Sequence, residues 1–362
     1  MKKVTLKMIA DAAGVSVSCV TRCINSSGYV SEKKREKVLQ VMKDLNYIPN
    51  RQAKSLRGGY SKLLGFIYFS TDENIFFTKT AMRIERMSFE KGYTVISYAL
   101  SRANLYRLKE VIESLLSYGV DGIIFNSGNE AGIIKRISSC IKGISVPVVM
   151  IERTEGIYEV EKVRVDNAAG SHMAVKRLQE AGHSRIAFLG VEQKEAVEQE
   201  RYEGYVSAMR EIDPEYAREN SYFVEEYTVK NGYLKCLELL EKSDGDTRPT
   251  AIFAASDILA AGVYRALQEH NIRIPGEISV VGYDDTIAEF LSPPLSTMQM
   301  PVEEIAEAAL EILIEKIEGN YIGNKTVEIS PVFIQRSSIC EISQSRSQDG
   351  AAVEEESRNE KR

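Results

Sequence analysis

The sequence has little of the chemistry that most often builds reactive or metal-binding sites: its 362 residues include no tryptophan, three histidines and five cysteines. An odd cysteine count, with no histidine at metal-ligand spacing, predicts free thiols and excludes a disulfide framework or a zinc finger. His172, His183 and His270 have no nucleophile and acid at a recognisable spacing, so we expect each to be structural. We predict neither a metal nor a cofactor.

Common enzyme motifs are missing as well. The sequence contains no G-x-x-x-x-G-K-[ST] phosphate-binding loop, no H-E-x-x-H zinc motif and no G-x-S-x-G nucleophile turn. We therefore assign no catalytic residue and expect that the protein is not an enzyme. An enzyme built on an α/β scaffold remains an alternative at this point.

Long apolar runs are also absent. No stretch approaches the ~18 consecutive apolar residues of a transmembrane helix. The basic start of the chain is not followed by an apolar run, because Lys7 and Asp11 interrupt it. This argues against a secretory signal. We therefore expect a cytoplasmic protein.

What the sequence does contain is an uneven distribution of charge. The whole chain has a formal net charge of −6, but residues 1–60 contain 12 Lys or Arg and 4 Asp or Glu, a local net charge of +8. A small basic segment joined to a larger acidic one is typical of a nucleic-acid-binding domain attached to a second domain. A surface that only aids solubility is the alternative, but it would not concentrate one sign of charge in one segment.

Residues 5–46 have the pattern of three short helices. Thr5, Ser16 and Ser31 are the predicted N-caps of these helices, because their side-chain oxygens can accept from the first free amides. Gly14 supplies a tight turn between the first two helices. This order predicts a helix-turn-helix domain, whose second helix enters the major groove of DNA.

The second helix would present three side chains to base edges. Arg22 can form a bidentate pair with guanine, and Val17 can contact a thymine methyl group. Ser18 lies beside them and can donate or accept. A surface ion-pair role is the alternative for Arg22.

From Leu63 onward, apolar runs of strand length alternate with amphipathic helices. Continuous apolar strands alternating with helices predict parallel sheets that are covered on both faces. A region of roughly 280 residues exceeds one comfortable core, so we expect two α/β subdomains. The predicted strands are Leu63–Phe69, Tyr93–Tyr98, Gly122–Phe125, Val146–Ile151, Arg185–Leu189, Thr250–Ala254 and Ile278–Val281, and two of the predicted helices are Thr78–Lys91 and Asn104–Tyr118.

Several strings, in this order, resemble the lactose-repressor/galactose-repressor family of bacterial transcription regulators. The resemblance extends to about residue 338. It implies an N-terminal all-α helix-turn-helix domain with a hinge helix, followed by an α/β periplasmic-binding-protein-like region of two parallel-sheet subdomains. The strings are Val4–Ser18, Gly28–Ser31, Arg35–Val38, Leu45–Arg57, Val120–Ile124, Ala181–His183, Arg201–Tyr205 and Ile278–Asp285.

The resemblance gives the segment before Leu63 a role in DNA binding. It implies that Asn50–Arg57 is a hinge helix that folds on the operator, and that Leu56 wedges into the minor groove. Such an apolar wedge unstacks one base step and bends the DNA toward the protein. Packing of Leu56 on the rest of the chain is the alternative. The implied DNA-binding residues are Thr5, Ser16, Val17, Ser18, Thr21, Arg22, Asn25, Ser31, Tyr47, Asn50, Ala53 and Leu56.

Polar residues follow several predicted strands, where open parallel sheets bind ligands. The resemblance implies that Arg201 and Asp284 hydrogen-bond an effector, which suits a hydroxylated molecule. Without tryptophan, stacking has to come from Phe77 or Tyr227. An ordinary acidic pair with Asp285 at the strand end is the alternative for Asp284, a structural ion pair for Arg201, and a core position for each of the two aromatic residues. The implied effector-binding residues are Phe77, Asn126, Arg153, Arg201, Tyr227, Ser256 and Asp284.

These observations predict a ligand-responsive, sequence-specific transcription regulator, acting as a repressor. It would bind a pseudo-palindromic operator as a homodimer and be switched by a small polar effector, in the first place a sugar. A nucleobase, a nucleoside or a phosphoprotein partner remains open as the effector. A sugar-binding receptor without DNA function is the alternative, which the basic segment opposes.

The predicted boundaries follow the changes in pattern. The helix-turn-helix domain takes residues 1–49, the hinge helix and linker 50–61, the effector-binding and dimerisation domain 62–340, and a disordered tail 341–362. Within the third part we expect an N-subdomain of about 62–164 and 297–325 and a C-subdomain of about 165–296 and 326–340.

Overall fold

The computed structural model of the chain describes residues 4–25, 28–47, 59–69, 75–126, 133–152, 160–192, 196–243, 245–323 and 326–342. Contacts divide the chain into two units, residues 1–61 and 62–362, which we call the head and the body. No helix in the described ranges is long and apolar enough to span a membrane. Most of the predicted hinge and the predicted tail from residue 343 lie outside the described residues.

The head has the three predicted helices. Thr5 caps the first by accepting a hydrogen bond from the Met8 amide at 3.3 Å, and Ser16 Oγ accepts from the Cys19 amide at 3.2 Å. Gly14 ends the first helix at φ 64°, a left-handed conformation that glycine adopts without steric cost. The helices are α1 (Leu6–Ala13), α2 (Val17–Asn25) and α3 (Glu32–Asp44), packed around Ile9, Ala10, Ala13, Val20, Cys23 and Val38.

The body contains two six-stranded sheets with the orders β11-β5-β4-β3-β1-β2 and β12-β10-β9-β8-β6-β7. The central strands are buried and apolar, as expected for a sheet covered on both faces. The strands are β1 (Leu63–Phe69), β2 (Thr94–Leu100), β3 (Gly122–Asn126), β4 (Val148–Ile151), β5 (Glu161–Val165), β6 (Ile186–Val191), β7 (Ser221–Val224), β8 (Ala251–Ala254), β9 (Ser279–Asp284), β10 (Ser296–Gln299), β11 (Thr326–Ile329) and β12 (Val332–Ile334).

Each sheet and the helices packed on it form one lobe. Helices α4, α5, α6 and α12 belong to the first lobe, and α7 to α11 belong to the second. These helices are α4 (Phe76–Glu90), α5 (Leu108–Tyr118), α6 (Ile133–Ile141), α7 (Asn167–Glu180), α8 (Ala196–Met209), α9 (Pro214–Glu219), α10 (Val229–Lys242), α11 (Asp257–Glu269) and α12 (Val302–Glu318), with short 3₁₀ turns at Arg102–Arg107, Gly245–Thr247 and Ala288–Phe290.

The carboxyl edges of the two sheets face each other. Lys79, in the helix that follows β1, donates to the carbonyl of Asp285, which follows β9. The chain passes between the lobes after β5, after β10 and after β11. These three passages lie at the edge where ligands of parallel sheets bind.

Strand pairing departs from the prediction at one edge, because β12 runs antiparallel to β10. The reason is topological. The chain leaves β11 at the carboxyl edge of the first sheet, which faces the carboxyl edge of the second sheet. It therefore enters the second sheet at that sheet's carboxyl edge, and β12 runs opposite to the parallel strands there. The other described strand pairs are parallel, as predicted.

Two lobe assignments differ from the predicted subdomain ranges. β10 lies in the second sheet, although residues 297–299 were assigned to the N-subdomain, and β11 lies in the first sheet, although residues 326–329 were assigned to the C-subdomain. Both strands are short and partly polar, Ser-Thr-Met-Gln and Thr-Val-Glu-Ile. A strand that pairs at or near a sheet edge needs no continuous apolar run, so the pattern of hydrophobic residues missed it.

Candidate functional site

An ion pair is buried at the carboxyl edge of the second sheet. Arg201, on α8, donates from Nη2 to Asp284 Oδ1 at 2.9 Å, and the two residues are 5% and 8% exposed. Arg201 also donates to the Ala255 carbonyl at 2.6 Å and to Asn167 Oδ1 at 3.1 Å. Its guanidinium carbon lies 3.8 Å from the centre of the Tyr283 ring. The chain therefore brings together two residues that are 83 positions apart.

The electrostatics of the pair combine burial with attraction. Burial raises the pKa of Asp284, while the adjacent Arg201 guanidinium acts in the opposite direction. Burial is the largest influence and lowers the pKa of Arg201, but the combined attraction of Asp284, Tyr227 and Tyr283 raises it above its ordinary value. A charge removed from water in this way is stable only with its partner present. The pair offers a fixed donor and a fixed acceptor to a molecule with hydroxyl groups.

The turn after β9 holds Asp284 in an unusual backbone conformation. Asp284 and Asp285 have φ values of 103° and 54°, in the region that side chains other than glycine rarely adopt. Residues in this region persist where their surroundings hold them, and they concentrate at ligand-binding sites.

Asp257 stabilises this turn by accepting hydrogen bonds. Its carboxylate accepts from the Thr286 amide at 2.7 Å and from Thr297 Oγ1 at 2.6 Å. A Cβ added to Gly282 would lie 2.4 Å from Asp257 Oδ1, so the glycine permits the close approach. Burial, with a contribution from Asp284, raises the pKa of Asp257 to about 7. Asp257 is not among the predicted effector-binding residues, although its place directly after Ser256 and a buried strand is a usable signal.

Asn126 ends β3 at the facing edge of the first sheet. It is 0% exposed, and neither its amide nitrogen nor its amide oxygen has a hydrogen-bond partner among the described residues. An unpaired buried amide is costly, so a bound polar molecule would stabilise it.

The other predicted effector residues have varied surroundings. Phe77 is buried in the first turn of α4, edge-on to Phe76 at 5.3 Å between ring centres. Tyr227 packs on the core of the second lobe and interacts electrostatically with Arg201. Ser256 caps α11, accepting from the Ile258 amide at 3.1 Å. Arg153 lies outside the described residues.

The predicted DNA-reading side chains lie on the exposed face of α2. Val17 is 43% exposed although it is apolar, and Ser18 and Arg22 are exposed as well. The opposite face carries the buried Val20 and Cys23. A helix with its core residues on one face leaves the other free to enter a DNA groove.

Hydrogen bonds within the head already use several of the hydroxyl groups of the implied DNA-binding residues. Thr21 Oγ1 donates to the Val17 carbonyl at 2.9 Å, and the hydroxyls of Ser16 and Ser18 lie 2.9 Å apart. Ser31 precedes α3 without a side-chain capping bond, and Tyr47 is partly buried against the core. The Asn25 side chain and residues Asn50, Ala53 and Leu56 lie outside what the structure describes.

Tyr29 is a candidate that the sequence analysis missed. It is 88% exposed, next to Gly28, where an added Cβ would lie 3.5 Å from Arg22 Cδ. A large exposed aromatic side chain beside a predicted base-reading arginine is the signal that identifies it. Its phenol could donate to a phosphate.

Two family profiles match the chain. Residues 5–50 match the bacterial regulatory proteins of the lacI family, and residues 175–339 match a periplasmic binding protein-like domain. The ribose operon repressor of Haemophilus influenzae is 33% identical over 341 residues, 92% of this chain and 98% of that protein. The HTH-type transcriptional repressor PurR of Vibrio cholerae is 30% identical over 347 residues, 94% of this chain and 99% of that protein.

Solved structures are also similar. The lac repressor dimer bound to operator and the anti-inducer ONPF superimposes with a TM-score of 0.80 at 26% identity, covering 94% of this chain and 100% of that one. The complex of the transcriptional regulator CelR with cellobiose gives a TM-score of 0.68 at 27% identity, covering 92% and 99%.

Proposed function

Because the chain belongs to the lacI family of bacterial regulatory proteins, we propose that it represses transcription as a homodimer bound to a two-fold-symmetric DNA operator. A small hydroxylated molecule, in the first place a sugar, binds the body and changes the operator affinity. The buried Arg201–Asp284 pair at the carboxyl edge of the sheets is the observation that carries the effector part. We place this repression in the cytoplasm, where the operator DNA is.

The head supplies sequence recognition. Helix α2 enters the major groove, with Arg22 on a guanine and Val17 against a thymine methyl group. Ser18 contacts a base edge beside them, and Thr5 is a further DNA contact. Phosphate contacts fix the register and come from Tyr29 and from Ser16, Thr21, Asn25, Ser31, Tyr47 and Asn50. Ala53 and Leu56 act in the hinge, where Leu56 opens a base step at the centre of the operator.

The body supplies the response. Arg201 donates to hydroxyl oxygens of the effector and Asp284 accepts from its hydroxyl groups. Asn126 closes the site from the first lobe, Phe77 and Tyr227 contact the apolar face of the molecule, and Ser256 and Arg153 complete its polar surroundings. Linkage requires that operator DNA changes effector affinity by the same factor as effector changes operator affinity.

Supporting observations come from both parts. The ribose operon repressor and PurR relatives are named as repressors, and the similar structures are a dimer on operator DNA and a complex with cellobiose. The receptor alternative leaves the basic head and its exposed reading helix without a role.

The test is selection of bound fragments from bacterial genomic DNA by the purified full chain. The expected result is one enriched site with two-fold symmetry, lost in Arg22→Ala. The matched control is Lys43→Ala, which removes one positive charge from α3 and should keep the same site. Enrichment of no site, or an unchanged site in Arg22→Ala, would contradict the proposal.

The effector is tested separately by thermal shift with pentoses, hexoses, cellobiose and nucleosides. The molecule that stabilises the wild-type chain should fail to stabilise Asp284→Asn, and it should change the affinity for the selected operator. A ligand that stabilises both chains equally would place its site elsewhere.

A further inference from the structure

Two polar contacts join the lobes beside the Arg201–Asp284 pair. Lys79, on α4 of the first lobe, donates from Nζ to the carbonyls of Asp285 at 3.2 Å and Thr286 at 3.3 Å in the second lobe. Arg164, on β5 of the first lobe, donates to Glu200 Oε1 at 2.5 Å on α8 of the second. Neither contact is required by the pairing of either sheet.

The Lys79 contact reaches Asp284 through the backbone. The two carbonyls belong to the residues directly after Asp284, in the turn that holds left-handed φ values. The Asp285 carboxylate is engaged separately, by Arg336 at 2.8 Å and Gln299 at 2.8 Å. Lys79 therefore binds the turn itself, and its positive charge favours the orientation in which both carbonyls point to the first lobe.

The Arg164 contact reaches Arg201 through side chains. Glu200 immediately precedes Arg201, and its second oxygen accepts from Asn167 Nδ2 at 3.4 Å. The Oδ1 of the same Asn167 accepts from Arg201 Nε at 3.1 Å. A hydrogen-bonded chain thus runs from β5 in the first lobe to the guanidinium of the proposed effector site.

We infer that Lys79 and Arg164 are cross-lobe positioning residues that hold the lobes closed, and the effector groups in place, before the effector binds. This inference rests on the proposed function of the Arg201–Asp284 pair. The apparent effector affinity falls in proportion to the fraction of the protein that is in the open, non-binding form. Because the two contacts increase the closed fraction, they raise effector affinity without touching the effector. They also set how far the lobes can open, which is the movement that the hinge would sense.

The test uses hydrogen exchange of the full chain in the absence of any added ligand. Opening of the lobes should release the turn that Lys79 holds, which weakens the hydrogen bond from the Thr286 amide to Asp257, and should expose the start of α8. In peptides covering residues 284–290 and 196–204, Lys79→Met and Arg164→Met should each exchange about threefold faster, and the double variant about tenfold faster.

Two matched controls remove an arginine whose ion pair stays within one helix. Arg86 pairs with Glu90 at 3.1 Å on α4, and Arg265 pairs with Glu269 at 2.9 Å on α11. Arg86→Met and Arg265→Met should leave exchange in both peptides unchanged. Lys79→Arg, which keeps a cationic donor, should restore wild-type exchange.

Wild-type exchange rates in Lys79→Met and Arg164→Met would overturn the inference, as would equal acceleration in the two controls. If the double variant does not fold, as seen by circular dichroism, the single variants and Lys79→Arg decide the question. Because this readout uses no ligand, it is separate from the proposed function. Accelerated exchange in a chain that no sugar or nucleoside stabilises would retain the cross-lobe contacts and reject the effector site.

Discussion

The head and the body present their predicted recognition residues in opposite ways. In the head, Val17 and Arg22 are exposed on one face of α2, while the core behind them is small. In the body, Arg201, Asp284 and Asn126 are buried where the two lobes meet. A duplex is large and must come to the protein surface, whereas a small molecule is bound best where water is excluded.

The two arrangements imply different consequences of substitution. A predicted reading residue in the head should contribute to DNA binding and hardly to folding, since it has few contacts in the free protein. A predicted effector-binding residue in the body should contribute to both, because its charge is satisfied by the fold itself.

The largest effect is expected in the body for Arg201→Met. The substitution leaves Asp284 buried without its partner and should lower the free energy of unfolding by about 3–5 kcal/mol. Urea unfolding of the full chain measures this, with Arg265→Met as control, where a surface pair should contribute less than about 1 kcal/mol. An additional Asp284→Leu should recover part of the loss. Equal costs for Arg201→Met and Arg265→Met would contradict the prediction.

A pH dependence is expected from the body through His183. Burial lowers the pKa of His183 to about 4, with the ring held by Thr250 Oγ1 at 3.0 Å and the Cys340 carbonyl at 3.1 Å. The unfolded histidine binds a proton near pH 6.5. The neutral His183 ring therefore makes its full contribution to the free energy of unfolding above about pH 6.5. This contribution decreases toward pH 4, by up to about 1.4 kcal/mol per pH unit.

Asp257 acts in the opposite direction, so the measurement has to be a difference. Its pKa is raised to about 7, which adds stability at low pH that is lost as the pH rises toward 7. Subtracting the unfolding free energies of His183→Gln from those of the wild type removes this contribution. The difference should decrease as the pH falls from 6.5 to 4. The head has no histidine. If the stability of the head showed a similar dependence on pH, protonation of His183 would not be the cause.

In the head, Arg22→Ala should act on binding alone. Loss of a bidentate contact to guanine should weaken specific operator binding by about 1–3 kcal/mol, with no change in the melting temperature of the body. Fluorescence anisotropy with selected and scrambled operators measures this at several salt concentrations. A phosphate-binding role instead predicts equal weakening on both DNAs and a smaller salt slope.

The smallest expected effect is conformational strain at a single glycine. Gly14→Val places a branched side chain at φ 64° and should cost about 1–2 kcal/mol. In the head, with its small core, this should populate the unfolded state and weaken operator binding. Gly119→Val applies the same strain at φ 74° in the body, with nothing within 4 Å of the added Cβ. The body should remain folded in Gly119→Val. If the head in Gly14→Val and the body in Gly119→Val unfold to the same extent, the prediction is wrong.

The expectations that depended on local pattern agree well with the structure. Three helices with Thr5 and Ser16 as caps, and the buried apolar strands such as β1 and β3, follow from rules that act over a few residues. Among the strands that the pattern missed, β5 alternates buried and half-buried residues, and the edge strand β11 alternates exposed and half-buried ones. Their pairing depends on neighbours supplied from distant parts of the chain.

Local patterns in the sequence are enough for the class of the protein: a basic helix-turn-helix segment, an α/β region of two lobes, and motifs specific enough to identify the family. The contact of Arg201 with Asp284, the hydrogen bond from the Thr286 amide to Asp257, and the bonds of Lys79 and Arg164 across the lobes depend on the packed fold. Helices, strands and charge segregation arise from neighbouring residues. A binding site arises where remote segments meet, and that geometry appears only when the sheets have paired and the lobes have packed.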